Sequence, residues 1–200
     1  MPLYKEFSTQ DTALLVWKHH PDTESWVDDL SDATNRSVSK QYEKLMIRKM
    51  LQSALPNHQL CYEDNGSPYV EPLSAKISIS HSYPFAALAI SNQNIGIDIE
   101  KQQPKILRIK SKFLSDTELK WLKNDDLALL TIIWSIKESL YKIHSKKLWS
   151  FRVHYHIDEF SLSSLDHISC HIIENEEITH YKASVQLIDT DYVLTAVYEV

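Results

Sequence analysis

Glycine and cysteine are scarce in this sequence, and each occurs only twice in 200 residues. Cys61 and Cys170 form no Cys-x-x-Cys motif, so neither a zinc site nor a disulfide framework is indicated, and we expect free thiols in a reducing compartment. No run of eighteen apolar residues occurs, and the first ten residues lack the basic-then-apolar pattern of a signal peptide. We therefore expect a cytoplasmic chain that does not enter a membrane.

An excess of positive charge is also missing. The chain has 21 Lys and Arg against 27 Asp and Glu, which gives a formal net charge of −6. Nonspecific nucleic-acid binding is built from many lysine and arginine contacts to phosphate, so a nucleic-acid partner is not expected. A composition that is 43% hydrophobic and 24% charged instead predicts a folded globular chain.

The order of patterns along the chain predicts an α+β fold. A helical pattern that Pro56 closes precedes three strand candidates, at 76–82, 85–91 and 95–100. Two further helical patterns precede several alternating segments in the last quarter. Because helix followed by strands occurs twice, we predict two similar halves, residues 1–103 and 104–200, each with a small antiparallel sheet packed with a helix.

The segment Ile95-Gly96-Ile97-Asp98-Ile99-Glu100 has isoleucine at every second position. In a strand the isoleucines would face a core, while Asp98 and Glu100 would share the other face, roughly 6–7 Å apart. Like charges side by side are unfavourable unless a cation compensates, and a hard divalent cation is the usual one. Gly96, next to this pair, would let a ligand approach the backbone. For this segment alone, a solvated strand face is the alternative.

The segment from Trp134 to Lys142 has helical spacing instead. Glu138 and Lys142 lie one turn apart on one face, and the apolar residues line another. A third carboxylate and a cation thus become available, although an ordinary surface ion pair is the alternative. In the first helical pattern, cations recur every four residues and would form one basic stripe, at Arg36, Lys40, Lys44 and Arg48.

Taken in order, these motifs resemble the signature of the 4′-phosphopantetheinyl transferases, a Gly-x-Asp-x-Glu strand (96–100) and a Trp/Phe-x-x-Lys-Glu-Ser/Ala-x-x-Lys helix (134–142). Residues 78–82, Ser-Ile-Ser-His-Ser, resemble the family's Asn-Ile-Ser-His segment, and residues 112–118 its Phe-x-Ser-x-x-Glu stretch. Residues 44–49 resemble its basic N-terminal helix. The resemblance extends over roughly residues 36 to 150, and the chain length suits the longer, two-half, surfactin-synthetase-activating type of the family.

The resemblance implies a pseudo-twofold fold and a monomeric enzyme of the holo-[acyl-carrier-protein] synthase type. Such enzymes transfer the 4′-phosphopantetheine group of coenzyme A to a serine of an acyl, peptidyl or aryl carrier protein and release adenosine 3′,5′-bisphosphate. The resemblance also implies the cofactor Mg²⁺, with three ligands, Asp98, Glu100 and Glu138.

Further roles are implied by the same resemblance. Glu138 is the candidate base, and Lys142 and Lys137 are the candidate catalytic cations, which would also reach phosphate oxygens of coenzyme A. The remaining coenzyme contacts would come from the first half, from Lys44, Arg48, Ser80 and His81. Glu118 is a minor candidate for proton relay or for positioning the carrier protein.

Two departures from the family pattern concern the nucleotide side. The family's Gly-Lys/Arg-Pro turn is Gly66-Ser67-Pro68 here, and the asparagine of Asn-Ile-Ser-His is Ser78. Two other functions stay open. The carboxylates and lysines would also suit a magnesium-dependent hydrolase of nucleotide pyrophosphates, and the two departures would suit a non-catalytic module that binds coenzyme A or a carrier protein.

Overall fold

The computed structural model describes residues 3–9, 11–20 and 35–200, with the side chains of the first helix described from Tyr42 onward. These residues belong to two compact units, Met1–Asn92 and Gln93–Val200. The α+β class predicted from the sequence, with helices and antiparallel sheets, is confirmed. Within the described ranges, no helix has the length and apolarity that crossing a bilayer would require.

The first unit contains one long helix and strands that form two small sheets. Its elements are β1 (Leu3–Ser8), β2 (Thr12–Lys18), α1 (Asn35–Ala54), β3 (Gln59–Tyr62), β4 (Pro68–Glu71), β5 (Lys76–Ser82) and β6 (Phe85–Ser91). Four strands form a sheet in the order β1-β2-β6-β5, and β3 pairs with β4. Met46 and Met50 of α1 belong to a buried apolar cluster with Trp17 and Leu88 of the larger sheet. Burial of such side chains, about 1.5–3 kcal/mol each, keeps α1 against the sheet.

The second unit places helices against a five-stranded antiparallel sheet. Its elements are β7 (Ile95–Lys101), α2 (Lys105–Phe113), α3 (Asp116–Trp121), α4 (Leu127–Ile143), α5 (Phe151–His154), β8 (Tyr155–Ile157), β9 (Ile168–Glu174), β10 (Glu177–Ile188) and β11 (Tyr192–Glu199). The strand order is β7-β11-β10-β9-β8. Thus β7 belongs to the second unit, because its backbone pairs with β11. The two compact units thus divide between Asn92 and Gln93, whereas the sequence patterns placed the boundary of the halves after residue 103.

Helix α4 is the central helix of this unit. It starts at Leu127, and the carboxylate of the preceding residue, Asp126, accepts a hydrogen bond from the backbone N–H of Leu129 at 3.0 Å. This cap satisfies a backbone donor that the first turn leaves without a partner inside the helix. Apolar residues of α4, among them Ile133, Ile136 and Leu140, are buried in the core of the unit. Helix α4 is therefore held by packing along its length and by capping at its start.

A row of histidines crosses three neighbouring strands of the same sheet. His156 of β8 lies opposite His171 of β9, which lies opposite His180 of β10. The ring centroids of His156 and His171 are 5.1 Å apart in a stacked arrangement, and those of His171 and His180 are 6.0 Å apart. Burial lowers the pKa of His171, the positive charges of His156 and His180 lower it further, and the carboxylates of Asp158 and Glu118 oppose these effects.

We expect this row to make stability depend on pH between neutral and mildly acid conditions. The folded-state pKa of His171 lies below its unfolded value of about 6.5, so above that pH both states carry neutral imidazole. As the pH falls, the unfolded state binds the proton first, and stability is lost down to the folded-state pKa. His171→Asn should therefore lose less unfolding free energy than the unsubstituted protein between pH 8 and pH 5, measured by urea titration. Equal losses of unfolding free energy in the two proteins would contradict a lowered pKa of His171, since the other histidines contribute to both proteins.

Candidate active site

The face of β7 that carries Asp98 and Glu100 is covered by α4 and is not the solvated face that the sequence left as an alternative. Asp98 is only 5% exposed. The closest approach of the two elements is at Gly96, where a Cβ atom would lie 2.0 Å from the backbone oxygen of Ser139 in α4. Glycine is thus required by the helix backbone, and the expectation that it admits a ligand is not supported.

Lys142, near the end of α4, forms hydrogen bonds with β7. Its ammonium donates to Asp98 Oδ1 at 2.8 Å and to the backbone oxygen of Ile97 at 2.9 Å. The lysine side chain is 26% exposed, so the protein does not enclose it completely. These two contacts join Lys142 to β7, whereas the helical spacing had left an ordinary surface ion pair with Glu138 as the alternative.

Trp134 orients the second carboxylate of the strand. Its indole N–H donates to Glu100 Oε1 at 3.3 Å, while its ring packs edge-on against Phe113 and tilted against Phe151. A cavity of about 170 Å³ opens beside this pair, with Ile106 and Ile109 of α2 in its wall. The sequence gives no signal of this hydrogen bond, because the helical spacing does not show which acceptor the indole N–H reaches.

The three carboxylates of the predicted metal site influence one another electrostatically. Burial raises the pKa of Glu138 to about 7, and the negative charges of Asp98 and Glu100 contribute to the rise, which Lys142 opposes. Burial also raises the pKa of Glu100, again with a contribution from Asp98. Burial and mutual repulsion thus disfavour the charged forms of Glu100 and Glu138 more than the nearby cations Lys105 and Lys142 favour them. Such a site suits a hard cation with oxygen ligands.

The carboxylates do not yet form a closed metal centre. Among the residues that the structure describes, no three His, Cys, Asp or Glu side chains converge closely enough to hold a metal ion. The donor set fits magnesium by its chemistry, since all three groups are carboxylates and each lies on a regular element.

Lys137, next to Glu138 in sequence, faces a different part of the unit. Its side chain is fully buried, and its ammonium donates to Glu118 Oε2 at 2.7 Å and to the backbone oxygens of Phe113 and Phe151 at 2.6 and 3.3 Å. Burial lowers the pKa of this lysine, and the carboxylate of Glu118 opposes the effect. These contacts do not suit the predicted role of Lys137 at phosphate, and they indicate a structural role.

Glu118 is the centre of this buried polar cluster. Besides the lysine, its carboxylate accepts from the backbone N–H groups of Ser115 and Ile157 at 2.7 and 3.0 Å. Ser115 in turn caps α3, so the two residues form a reciprocal capping box. Glu118 thus joins α3 to β8, and the contacts favour structure over the proton relay suggested by its sequence position.

The coenzyme candidates of the first unit have varied surroundings. Lys44 and Arg48 are exposed on α1, and Ser80 is buried in β5. His81 is 48% exposed at its side chain, and its Nδ1 lies 3.2 Å from a carboxylate oxygen of Glu43 in α1. The side chains of Arg36 and Lys40, the other members of the predicted basic stripe, lie outside the described part of α1.

The departures at Ser67 and Ser78 can also be located. Ser67 lies in the turn between β3 and β4, where its backbone N–H donates to Asn65 Oδ1 at 2.9 Å and Gly66 has a φ of +82°. Ser78 is buried in β5. Residue 67 therefore closes a hairpin turn, a role that glycine and asparagine on its N-terminal side make possible.

Comparisons with known proteins agree on one family. A family model described as the 4′-phosphopantetheinyl transferase superfamily matches residues 94–197. The chain is 35% identical over 141 residues to the 4′-phosphopantetheinyl transferase Sfp of Bacillus subtilis (strain 168). The matched segment covers 65% of this chain and 63% of that protein. It is 33% identical over 114 residues to the 4′-phosphopantetheinyl transferase gsp of Aneurinibacillus migulanus, covering 53% and 48%. The matches thus span between about half and two thirds of these relatives.

Proposed function

Because the chain belongs to the 4′-phosphopantetheinyl transferase superfamily, we propose that it transfers the 4′-phosphopantetheine group of coenzyme A to a serine of an acyl or peptidyl carrier protein. Adenosine 3′,5′-bisphosphate is the other product. The observation that carries the proposal is the cluster of Asp98, Glu100 and Glu138 at the contact of β7 with α4. Lys142 forms an ion pair with Asp98 in this cluster. Similarity to the relatives described above favours the longer Sfp-like type over the short synthase type.

The reaction is a substitution at phosphorus, so the pyrophosphate charge must be balanced and the serine hydroxyl must be aimed and deprotonated. Asp98, Glu100 and Glu138 would hold magnesium. When bound, this ion supplies positive charge to pyrophosphate oxygens. Lys142 neutralises part of the charge of Asp98, and its partly exposed side chain would meet a phosphate oxygen as a compact cation.

Glu138 is also the candidate proton acceptor. Without a metal ion, burial raises its pKa to about 7, a range in which a general base works near neutral pH. Accepting the serine proton and ligating a metal ion are competing roles for one carboxylate, and each oxygen atom could serve one of them. In the first unit, we propose that Lys44, Arg48, Ser80 and His81 contact the coenzyme. We also propose a cytoplasmic monomer as the active form.

The deciding experiment is mass spectrometry of several apo-carrier proteins incubated with this protein, coenzyme A and Mg²⁺. We expect one acceptor serine to gain a single phosphopantetheine arm and the gain to disappear with EDTA. Cleavage of coenzyme A without an acceptor would favour the pyrophosphate hydrolase instead. Coenzyme binding with no modified carrier protein would favour the non-catalytic module.

A further inference from the structure

Three hydroxyl groups are buried between α4 and the sheet, directly beside the carboxylate cluster. Thr195 of β11 is the cross-strand partner of Asp98 in β7. Its Oγ1 lies 2.7 Å from Ser139 Oγ and 3.0 Å from Ser135 Oγ, and it donates to the backbone oxygen of Ser135 at 3.0 Å. All three side chains are fully buried. The network therefore lies within the helix–sheet interface and has no access to solvent.

The same hydroxyls reach the backbone on both sides of the interface. Ser135 Oγ lies 3.4 Å from the backbone oxygen of Asp98, and Ser139 Oγ donates to the backbone oxygen of Ser135 at 3.0 Å. One turn of α4 is thus joined to β11 and to the residue of β7 that carries the first carboxylate. Gly96 lies under the same turn, where it admits the backbone oxygen of Ser139.

These contacts limit both the sliding of α4 along the sheet and its rotation about its own axis. Apolar packing tolerates small slides, whereas hydrogen bonds have strict distances and directions, and a buried hydroxyl that loses its partner is unfavourable. Glu138 and Lys142 lie on the same helix, one residue before and three residues after Ser139. A slide of α4 would therefore move both side chains relative to Asp98 and Glu100.

We infer that Thr195 is a positioning residue, which holds α4 where Glu138 and Lys142 face the carboxylates of β7. The inference rests on the proposed function, because that function assigns a metal ion to this site. The effect of Thr195 on metal affinity can nevertheless be measured without the transfer reaction. A misplacement of about 1 Å far from the reacting atoms can cost about 100-fold in rate. Residues that orient metal ligands from behind typically contribute about 10- to 100-fold to metal affinity.

The test compares Thr195→Val, which keeps the shape but removes the hydroxyl, with Thr195→Ser, which keeps the hydroxyl. The probe is Mn²⁺ alone, titrated into the protein and followed by electron paramagnetic resonance without coenzyme or carrier protein. We expect Thr195→Val to weaken Mn²⁺ binding about tenfold and Thr195→Ser to retain the affinity within about twofold. Thr131→Val, the same substitution at a buried threonine of α4 outside the network, should leave the affinity unchanged.

Ser135→Ala provides a second variant should Thr195→Val fold poorly, and it should weaken Mn²⁺ binding in the same direction. Equal Mn²⁺ affinity in the valine, serine and unsubstituted proteins would overturn the inference, as would absence of Mn²⁺ binding in all of them. Failure of the proposed function would be recognised separately. In that case no carrier protein is modified, yet the loss of Mn²⁺ affinity in Thr195→Val persists.

Discussion

Asp98→Asn is expected to reduce the rate of phosphopantetheine transfer by about 10³-fold or more, without unfolding the protein. Asparagine keeps the size of the side chain and an oxygen that can accept from Lys142. It removes the negative charge, however, and with it one of three proposed ligands to a divalent cation. At 1.36 kcal/mol per factor of ten, the expected loss corresponds to about 4 kcal/mol of transition-state stabilisation.

The measurement is kcat/KM for formation of the modified carrier protein, together with thermal unfolding of each variant. Asp125→Asn is a suitable control, because Asp125 is 61% exposed and pairs only at the surface with Lys110, an interaction of small value. An Asp98→Asn protein that keeps more than about a tenth of the activity would exclude this carboxylate as an essential group.

Lys137→Met is expected to lower the free energy of unfolding by about 3–5 kcal/mol. Methionine has a similar shape but no charge, so Glu118 would be left as a buried carboxylate without its cation. The backbone oxygens of Phe113 and Phe151 would lose a donor as well. Because breaking a buried pair costs more than removing both partners, Lys137→Met combined with Glu118→Gln should recover part of the loss.

Urea titration of the single and double variants measures this coupling. Lys110→Met, which breaks an exposed ion pair, should change the stability by less than about 1 kcal/mol and serves as the comparison. The opposite outcome is informative. If Lys137 contacts phosphate, as its sequence position suggested, Lys137→Met would raise the KM for coenzyme A while leaving the unfolding free energy close to that of the unsubstituted protein.

Much of the carboxylate cluster could be predicted from local periodicity. Alternation along β7 places Asp98 and Glu100 on one face, and one helical turn separates Glu138 from Lys142, so the spacing alone identifies candidate partners. In the structure, burial raises the pKa of the Glu138 carboxyl group, and Asp98 and Glu100 are near enough to raise it further. Periodicity within one element does not say which other element covers a face, and for this reason the solvated face remained an alternative until α4 was seen on it.

The roles of individual residues within α4 needed the tertiary structure. Lys137 and Glu138 are adjacent in sequence, but successive helical residues point about 100° apart, so one faces the buried Glu118 and the other the carboxylates of β7. Nothing in the sequence indicates that Thr195 has a special role, since threonine is a common residue in strands. Its importance depends on pairing with Asp98, which lies almost a hundred residues earlier in the chain.

By itself, the sequence determined the α+β class, the elements that carry the candidate site and the family resemblance, because these depend on spacing within short segments. Only the tertiary structure decided that β7 belongs with β11, that Gly96 admits a helix backbone and that Lys137 is a buried structural cation. Each of these depends on contacts between residues distant in sequence. Such contacts are selected by packing and by the need to pair buried polar groups, and local patterns do not record them.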